Sequence, residues 1–361
     1  MNFRRNKKMN HRKQKGFSLL ELLVAVAILV IVAGTVIAGM ISTTKSQGTV
    51  INRTQVHASV RNATELMEQE VGQAGKIGSA SGRTVTFAAA IPANILGASA
   101  TPTISSTVGL YIGEQLTVDP NSTTEETVTI TALGTSTITA KFYNAHSGGT
   151  AIPALVLGGF ASGIVPPTTS SKLVLRSNDA ANTELDKITP GQASDGSTLK
   201  LYGDINGDGN VYYVVYKCAP DSSGKGTLYR YVSNADVTTS GVGMQPGTLL
   251  LDNLATNPAD SNGNAVPCFT YQTKDTAVTI SGGQVLETFV INVAVTLTVQ
   301  TQNKDAKTGQ YQTETKALLN IAPRNVFDAW ELASAPTGYT RAQPMPPKVL
   351  DPLLTATLVN Q

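Results

Sequence analysis

The chain has 361 residues, enough for one large or two ordinary domains. Only 14% are charged, while 32 are glycine and 41% are hydrophobic, which excludes wholesale disorder and favours a turn-rich, largely β fold. The net charge of +2 hides an asymmetry: Arg4, Arg5, Lys7, Lys8, Arg12, Lys13 and Lys15 crowd the first 16 residues without an acid, and once those seven are set aside the remainder carries −5. The basic residues are a leader rather than a binding face, so no nucleic-acid partner is indicated.

After that leader, Leu22 to Ile41 is a run of 20 residues without a charge. As a helix it is ~30 Å long, enough to cross the hydrocarbon of a bilayer. The seven cations before it place the N-terminus in the cytoplasm and everything after residue 41 outside. Glu21 is the odd residue, ~9 Å into the helix from Lys15. A carboxylate in lipid costs on the order of 3 kcal/mol, so it either seeks a cation or sits idle at the headgroups. A secretory signal cut after Val36-Ile37-Ala38 is the competing reading, opposed by the length of the apolar run and by the helical pattern beyond it.

The segment Lys15-Gly16-Phe17-Ser18-Leu19-Leu20-Glu21, followed by an apolar helix, resembles the N-terminal signal of type IV prepilins and pseudopilins. The resemblance implies cleavage by a membrane prepilin peptidase between Gly16 and Phe17 and N-methylation of the new Phe17 amine. It also implies that Glu21 pairs with the Phe17 amine of a neighbouring subunit during assembly. Physically, an acid and an amine that are each costly in an apolar filament core compensate one another only when subunits stack in register. One departure is Ala38, where many major pilins of the type IVa class carry a helix-kinking proline; Gly34 and Gly39 are the local weak points instead.

Beyond the apolar run the helix changes character. Val56, Val60, Ala63, Met67, Val71 and Ala74 recur at spacings of four and three, an amphipathic stripe with Arg53, Arg61, Glu65 and Glu68 outside it. A coiled-coil seam would use such a stripe, but one of this length more often packs on the chain's own sheet, and the helix should end near Gly75 or Gly78. From 79 to 170 the chain is rich in Ala, Thr, Gly and Ser. Period-two alternation at Glu126–Ile130 and Thr137–Phe142 predicts half-exposed antiparallel strands. The stretch from Val108 to Ile152 is similar to a small β module of phage-tail and bacterial surface proteins, which implies an inserted contact module.

Residues 171–333 form a second β-rich part, with strands expected at Lys172–Arg176, Val211–Lys217, Gly226–Val232 and Phe289–Gln300. Here Tyr212 to Cys218, Leu228 to Arg230, Cys268 to Tyr271 and Leu319 to Val326 resemble the C-terminal pattern of large PilW-like minor pilins. Residues 334–361 hold Pro336, Pro344, Pro346, Pro347 and Pro352 and read as an extended or disordered arm.

Cys218 and Cys268 lie beyond the membrane, where pairing is the default and free thiols the alternative. Asp204, Asn206, Asp208 and Asn210 place oxygen donors at alternate residues, the start of a calcium loop, yet Val215 stands where such a loop has its bidentate Glu, so an acid from elsewhere, such as Asp221 or Asp179, would have to finish the site. A polar hairpin turn explains them about as well. No cofactor is required by any other motif. No nucleophile elbow, Walker loop, His-Glu-x-x-His or dinucleotide fingerprint occurs, so an enzyme is not expected. His57 and the adjacent Glu125 and Glu126 read as solvated polar groups.

The sequence therefore predicts an α+β protein. A leader (1–16) precedes a long N-terminal helix (17–76, its membrane half 17–41) packed on a large antiparallel β-rich head with an inserted module. The resemblance implies a minor pilin-like structural subunit of a type IV pilus. Its partners would be the prepilin peptidase, other pilins or pseudopilins and the inner membrane, spanned once before transfer to the pilus or cell surface. A pseudopilin of a type II secretion system shares the motif, and a membrane-anchored adhesin that never polymerises is the reading from a different class.

Overall fold

The computed structural model describes residues 18–77, 84–92, 99–107, 110–146, 152–156, 159–167, 173–175, 185–187, 192–234, 246–280, 283–334, 342–343 and 345–346. The cleavage residues Gly16 and Phe17 fall outside that set, as do Gly78 and Asp179.

One helix, α1 (Leu19–Gln73), runs for 55 residues, ~82 Å. It passes Gly34 and Gly39 without a break. The expected stripe is the buried one: Val56, Val60, Ala63, Met67, Val71 and Ala74 are at most 8% exposed. The helix stops at Gln73, and Gly75 takes φ +84°, the left-handed conformation that suits glycine after a helix.

A β module follows. Its strands are β1 (Thr84–Phe87), β2 (Ser99–Ala100), β3 (Gln115–Val118), β4 (Glu126–Thr129), β5 (Ala132–Leu133), β6 (Ile138–Lys141) and β7 (Ile152–Val156). They pair as a four-stranded sheet in the order β1-β7-β3-β4 and a three-stranded one in the order β2-β6-β5. Phe87 and Phe142 meet edge to face in its core, centroids 5.9 Å apart.

The head is a nine-stranded sheet. It comprises β8 (Leu173–Leu175), β9 (Leu185–Lys187), β10 (Thr198–Gly203), β11 (Tyr212–Ala219), β12 (Gly226–Asn234), β13 (Thr248–Ala255), β14 (Phe269–Ile280), β15 (Gly283–Gln300) and β16 (Thr313–Ile321). Strand β15 is its spine. On one edge it pairs with β14 and, at Thr298 and Val299, with β13; on the other it pairs with β8 and β16. Every pairing except β15 with β8 is antiparallel. A short helix, α2 (Arg324–Ser334), closes the head, burying Val326, Ala329 and Ala333. Sequence periodicity had not separated it from the strand before it.

The sheet has no wet face over β10, β11 and β12. Leu199, Leu201, Val214, Tyr216, Cys218 and Leu228 join the stripe of α1 in one core. The alternate residues Tyr202, Tyr213, Val215 and Tyr231 join the β module in another. That is why β11 reads as a nearly unbroken apolar run, Tyr212 to Tyr216, rather than an alternating one. The order of layers is helix, sheet, module.

Two short pieces of the Pro-rich tail, expected as an extended or disordered arm, lie against the rest of the chain. Gln343 bridges to Ala161, its N–H donating to Phe160 O at 2.7 Å. Its side-chain amide accepts from Gln115 N–H at 2.9 Å and donates to Gln115 O at 3.1 Å. Met345 is fully buried in the module's core. An amide that both accepts from and donates to one residue's backbone imitates a strand partner, so this segment straps the module to the head.

Candidate assembly helix and its seat in the head

The two halves of α1 meet different surroundings. Every residue from Ser18 to Lys45 is exposed, with Leu19 at 82% and Ile41 at 51%. Side chains of this kind left bare over ~34 Å need a partner outside the chain, lipid or other helices. The hydroxyl of Thr35, within the apolar run, donates to Val32 O at 2.8 Å and so carries no unmet donor. Glu21 stands in the first turn of the helix, where a negative charge also favours the helix start.

The second half is seated. At the neck, Thr49, Arg53 and His57, spaced one turn apart, face the β15–β16 hairpin. Thr49 Oγ1 donates to Asp305 Oδ2 at 2.7 Å, Arg53 Nε to Gln312 Oε1 at 2.9 Å, and His57 Nδ1 lies 2.5 Å from Glu314 Oε1. His57 is thus exposed, as expected, but paired. Asp305 is buried, 4% exposed, and also accepts from the N–H groups of Lys307 and Thr308 at 2.8 and 2.9 Å and from Gln312 Nε2 at 2.7 Å. The Thr49 hydroxyl and then these backbone donors hold its carboxyl at about 2.

Higher on the helix, Glu70 is 4% exposed and reaches the sheet. Its carboxylate pairs with the Arg230 guanidinium, with Arg230 Nε 3.1 Å from Oε2, and accepts from the Tyr216 hydroxyl. Burial and then the Glu70 charge push the Tyr216 hydroxyl far up, so it stays a donor. Burial works against charge on Arg230, yet the bonds to Glu70 outweigh it and raise its pKa. A charge pair of this depth is retained because removing either member strands the other.

At the top, Gly75, Gly163 and Gly203 converge. A Cβ on Gly163 would lie 2.3 Å from Gly75 N, and one on Gly75 2.5 Å from Ala161 O. The approach lets Gly75 N–H donate to Tyr202 O at 2.9 Å while Gly75 O accepts from Ala161 N–H at 2.7 Å, binding the helix end to β10 and to the segment leaving the module. Tyr216 and Arg230 lie in the stretches that carry the minor-pilin resemblance, but no pattern marks either of them, or Asp305, as a partner for the helix. Glu70 alone carried a signal, as an acid on the buried side of an amphipathic stripe.

Cys218 and Cys268 are joined by a disulfide, both buried, linking β11 to the start of β14. The four residues of the candidate calcium loop take separate roles. Asp204 is buried and turned toward Lys76, whose Nζ is 4.0 Å away, and neither of its oxygens has a hydrogen-bond partner among the described residues. Asp208 accepts from the Tyr212 hydroxyl at 2.7 Å and from Asn210 N–H at 2.9 Å, and chiefly through that hydroxyl its pKa is lowered. Asn206 is exposed. The cation nearest Asp204 is an ammonium, and Asp208 closes its own turn, so this geometry lends the calcium expectation no support.

Glu126 is not the solvated charge the sequence implied. It accepts from Tyr143 N–H at 2.8 Å and lies 2.6 Å from Nε2 of the fully buried His146, whose Nδ1 is 2.8 Å from Asp119. This trio fastens the β3–β4 turn to the segment after β6. Among the described residues no group of three His, Cys, Asp or Glu is arranged to hold a metal ion. Fold and site together are consistent with a structural rather than a catalytic protein.

Residues 11–37 match the family described as Prokaryotic N-terminal methylation motif. No curated protein and no solved structure matches the chain. The chain therefore carries a prepilin-like methylation motif on a long apolar helix seated in an α+β head, consistent with a structural subunit of the general type IV pilin or pseudopilin kind.

Proposed function

We propose that the protein is a minor pilin-like subunit of a type IV pilus. Prepilin peptidase cuts between Gly16 and Phe17, the Phe17 amine is methylated, and the helix holds the head at the membrane until it enters a filament. The head then contributes to pilus assembly or surface contact. The observation that carries this reading is the coincidence of the methylation motif with an apolar half-helix that the head leaves bare from end to end. A purely anchoring segment needs no motif with its cut before the apolar run, whereas a filament subunit needs both. The Glu21 carboxylate would pair with the Phe17 ammonium of a neighbour, each offsetting the other's desolvation.

Glu21→Ala tests this role, because it removes a charge from an apolar helix and leaves the head untouched. Membrane insertion and head folding should match the unsubstituted chain, while recovery in sheared filaments falls severely. Equal incorporation of the two chains would reject the pairing.

A further inference from the structure

The hairpin joining β15 to β16 descends along the helix toward its bare half. Glu314 stands at the level of His57, Gln312 at Arg53 and Asp305 at Thr49, so each step toward the loop is a step toward Ile41. Thr49 is eight residues past Ile41, about 12 Å along the axis. Ser46, one turn lower than Val50, is already half-buried. The tip of this loop, about Lys304, thus lies at the level of Thr49, about 12 Å beyond the end of the apolar run.

Its chemistry is one-sided. Lys304 and Lys307 are exposed, and so is Lys45 on the adjacent helix. Tyr311 is 45% exposed, with Lys304 Nζ 5.5 Å from its ring centroid. The acid between the two lysines, Asp305, faces inward and spends its oxygens on Thr49, Gln312 and two backbone N–H groups. Two other acids of the head, Asp252, which accepts from Gln302, and Asp221, which accepts from Ser223, keep their charges but lie outside the Lys304–Tyr311 tip. What projects is a set of ammonium groups with a tyrosine, within about one Debye length of the plane where the apolar run would leave a bilayer. Cations attract anionic headgroups over that distance, and tyrosine favours the interface.

We propose that the Lys304–Tyr311 tip, with Lys45, is a contact surface for the anionic phospholipid headgroups of the leaflet facing the head, holding the head upright on the membrane before assembly. This rests on the reading of α1 as a membrane anchor. The internal bonds of Asp305 fix the tip at the height of Thr49 and turn its carboxylate, which keeps its charge, inward and away from the exposed lysines.

The test is amine footprinting of the full-length chain in lipid nanodiscs, one set of phosphatidylcholine alone and one with about a third phosphatidylglycerol. Acetylation of Lys304 and Lys307 is read by mass spectrometry, with Lys141 on the β module as reference. Both lysines should be modified at least about fivefold more slowly in the anionic discs, and high salt should abolish the difference while Lys141 is unaffected. Equal rates in the two lipids, with the chain retained in the discs, would overturn the surface and leave the anchor standing. A chain that never enters either disc would overturn the anchor, and the surface with it. The measurement uses the unsubstituted protein, so no folding defect intervenes.

Discussion

The first and second halves of α1 are built from similar apolar residues and meet opposite fates. Between Leu19 and Ile41 apolar side chains point all round the helix and nothing in the head covers them; between Val56 and Ala74 they occupy one stripe, and the sheet buries it. A helix hydrophobic on all sides is suited to lipid or to a ring of other helices, whereas a stripe is suited to one sheet. The contrast extends to charge. Glu70, inside the seated half, has Arg230 and Tyr216 supplied by its own head, while Glu21, inside the bare half, has no such partner among the described residues. The seated half is complete in one molecule, and the bare half is not.

Substitutions should therefore separate the halves, the largest effects falling where the head supplies the partner. Replacing Cys218 and Cys268 with alanine removes the link beneath the seated half. The bridge closes a segment with a sequence separation of 50. On the loop-entropy account that costs ~4 kcal/mol, to be read as a fall in the melting temperature of the purified protein. Unchanged melting would mean the cysteines do not bear on the seat.

Glu70→Ala should cost ~3 kcal/mol, because it leaves the Arg230 charge half-buried without its partner. The paired change Glu70→Leu with Arg230→Met should restore most of that loss, and chemical denaturation of the three chains distinguishes a stranded charge from lost packing.

A pH titration probes the neck. The Asp305 carboxyl titrates at about 2 in the fold, against about 3.9 in an unfolded chain. Its folded pKa is depressed, so its contribution is complete above about 4 and is lost as pH falls through about 2. The protection of the 303–311 loop against hydrogen exchange, relative to intrinsic rates at each pH, should fall across that interval, and Asp305→Asn should remove this change in protection. Smallest of all, Leu29→Ala in the bare half should move head melting by less than ~0.5 kcal/mol, since the head makes no use of Leu29. A large shift there would mean the bare half is seated after all.

How much of this was legible follows from the same contrast. The apolar run, the stripe and the strands at β4, β6, β11, β12 and β15 are local patterns that sequence periodicity reports directly. The partners of Glu70 lie 146 and 160 residues away, and no periodicity connects them. Strand β14 carries Lys274 and Asp275 at its middle and a register shift beside Gln272, which breaks the alternation by which a strand is recognised. Helix α2 places its buried Val326, Ala329 and Ala333 at helical spacing, but it is only 11 residues long and follows closely on the strand that ends at Ile321, so the change of period is easily missed. The strap at Gln343 was hidden by its prolines, which suit an extended edge segment as well as a free arm.

If the bare half-helix is the assembly end of a processed subunit, the mass of the mature N-terminus shows it. Peptide mass spectrometry of the protein recovered from its membrane should find a chain beginning at Phe17 with a methylated amine, and Gly16→Val should leave the full precursor. A mature chain beginning near Gly39, as an ordinary secretory cut after Ala38 would leave it, would remove the bare half altogether and contradict the account.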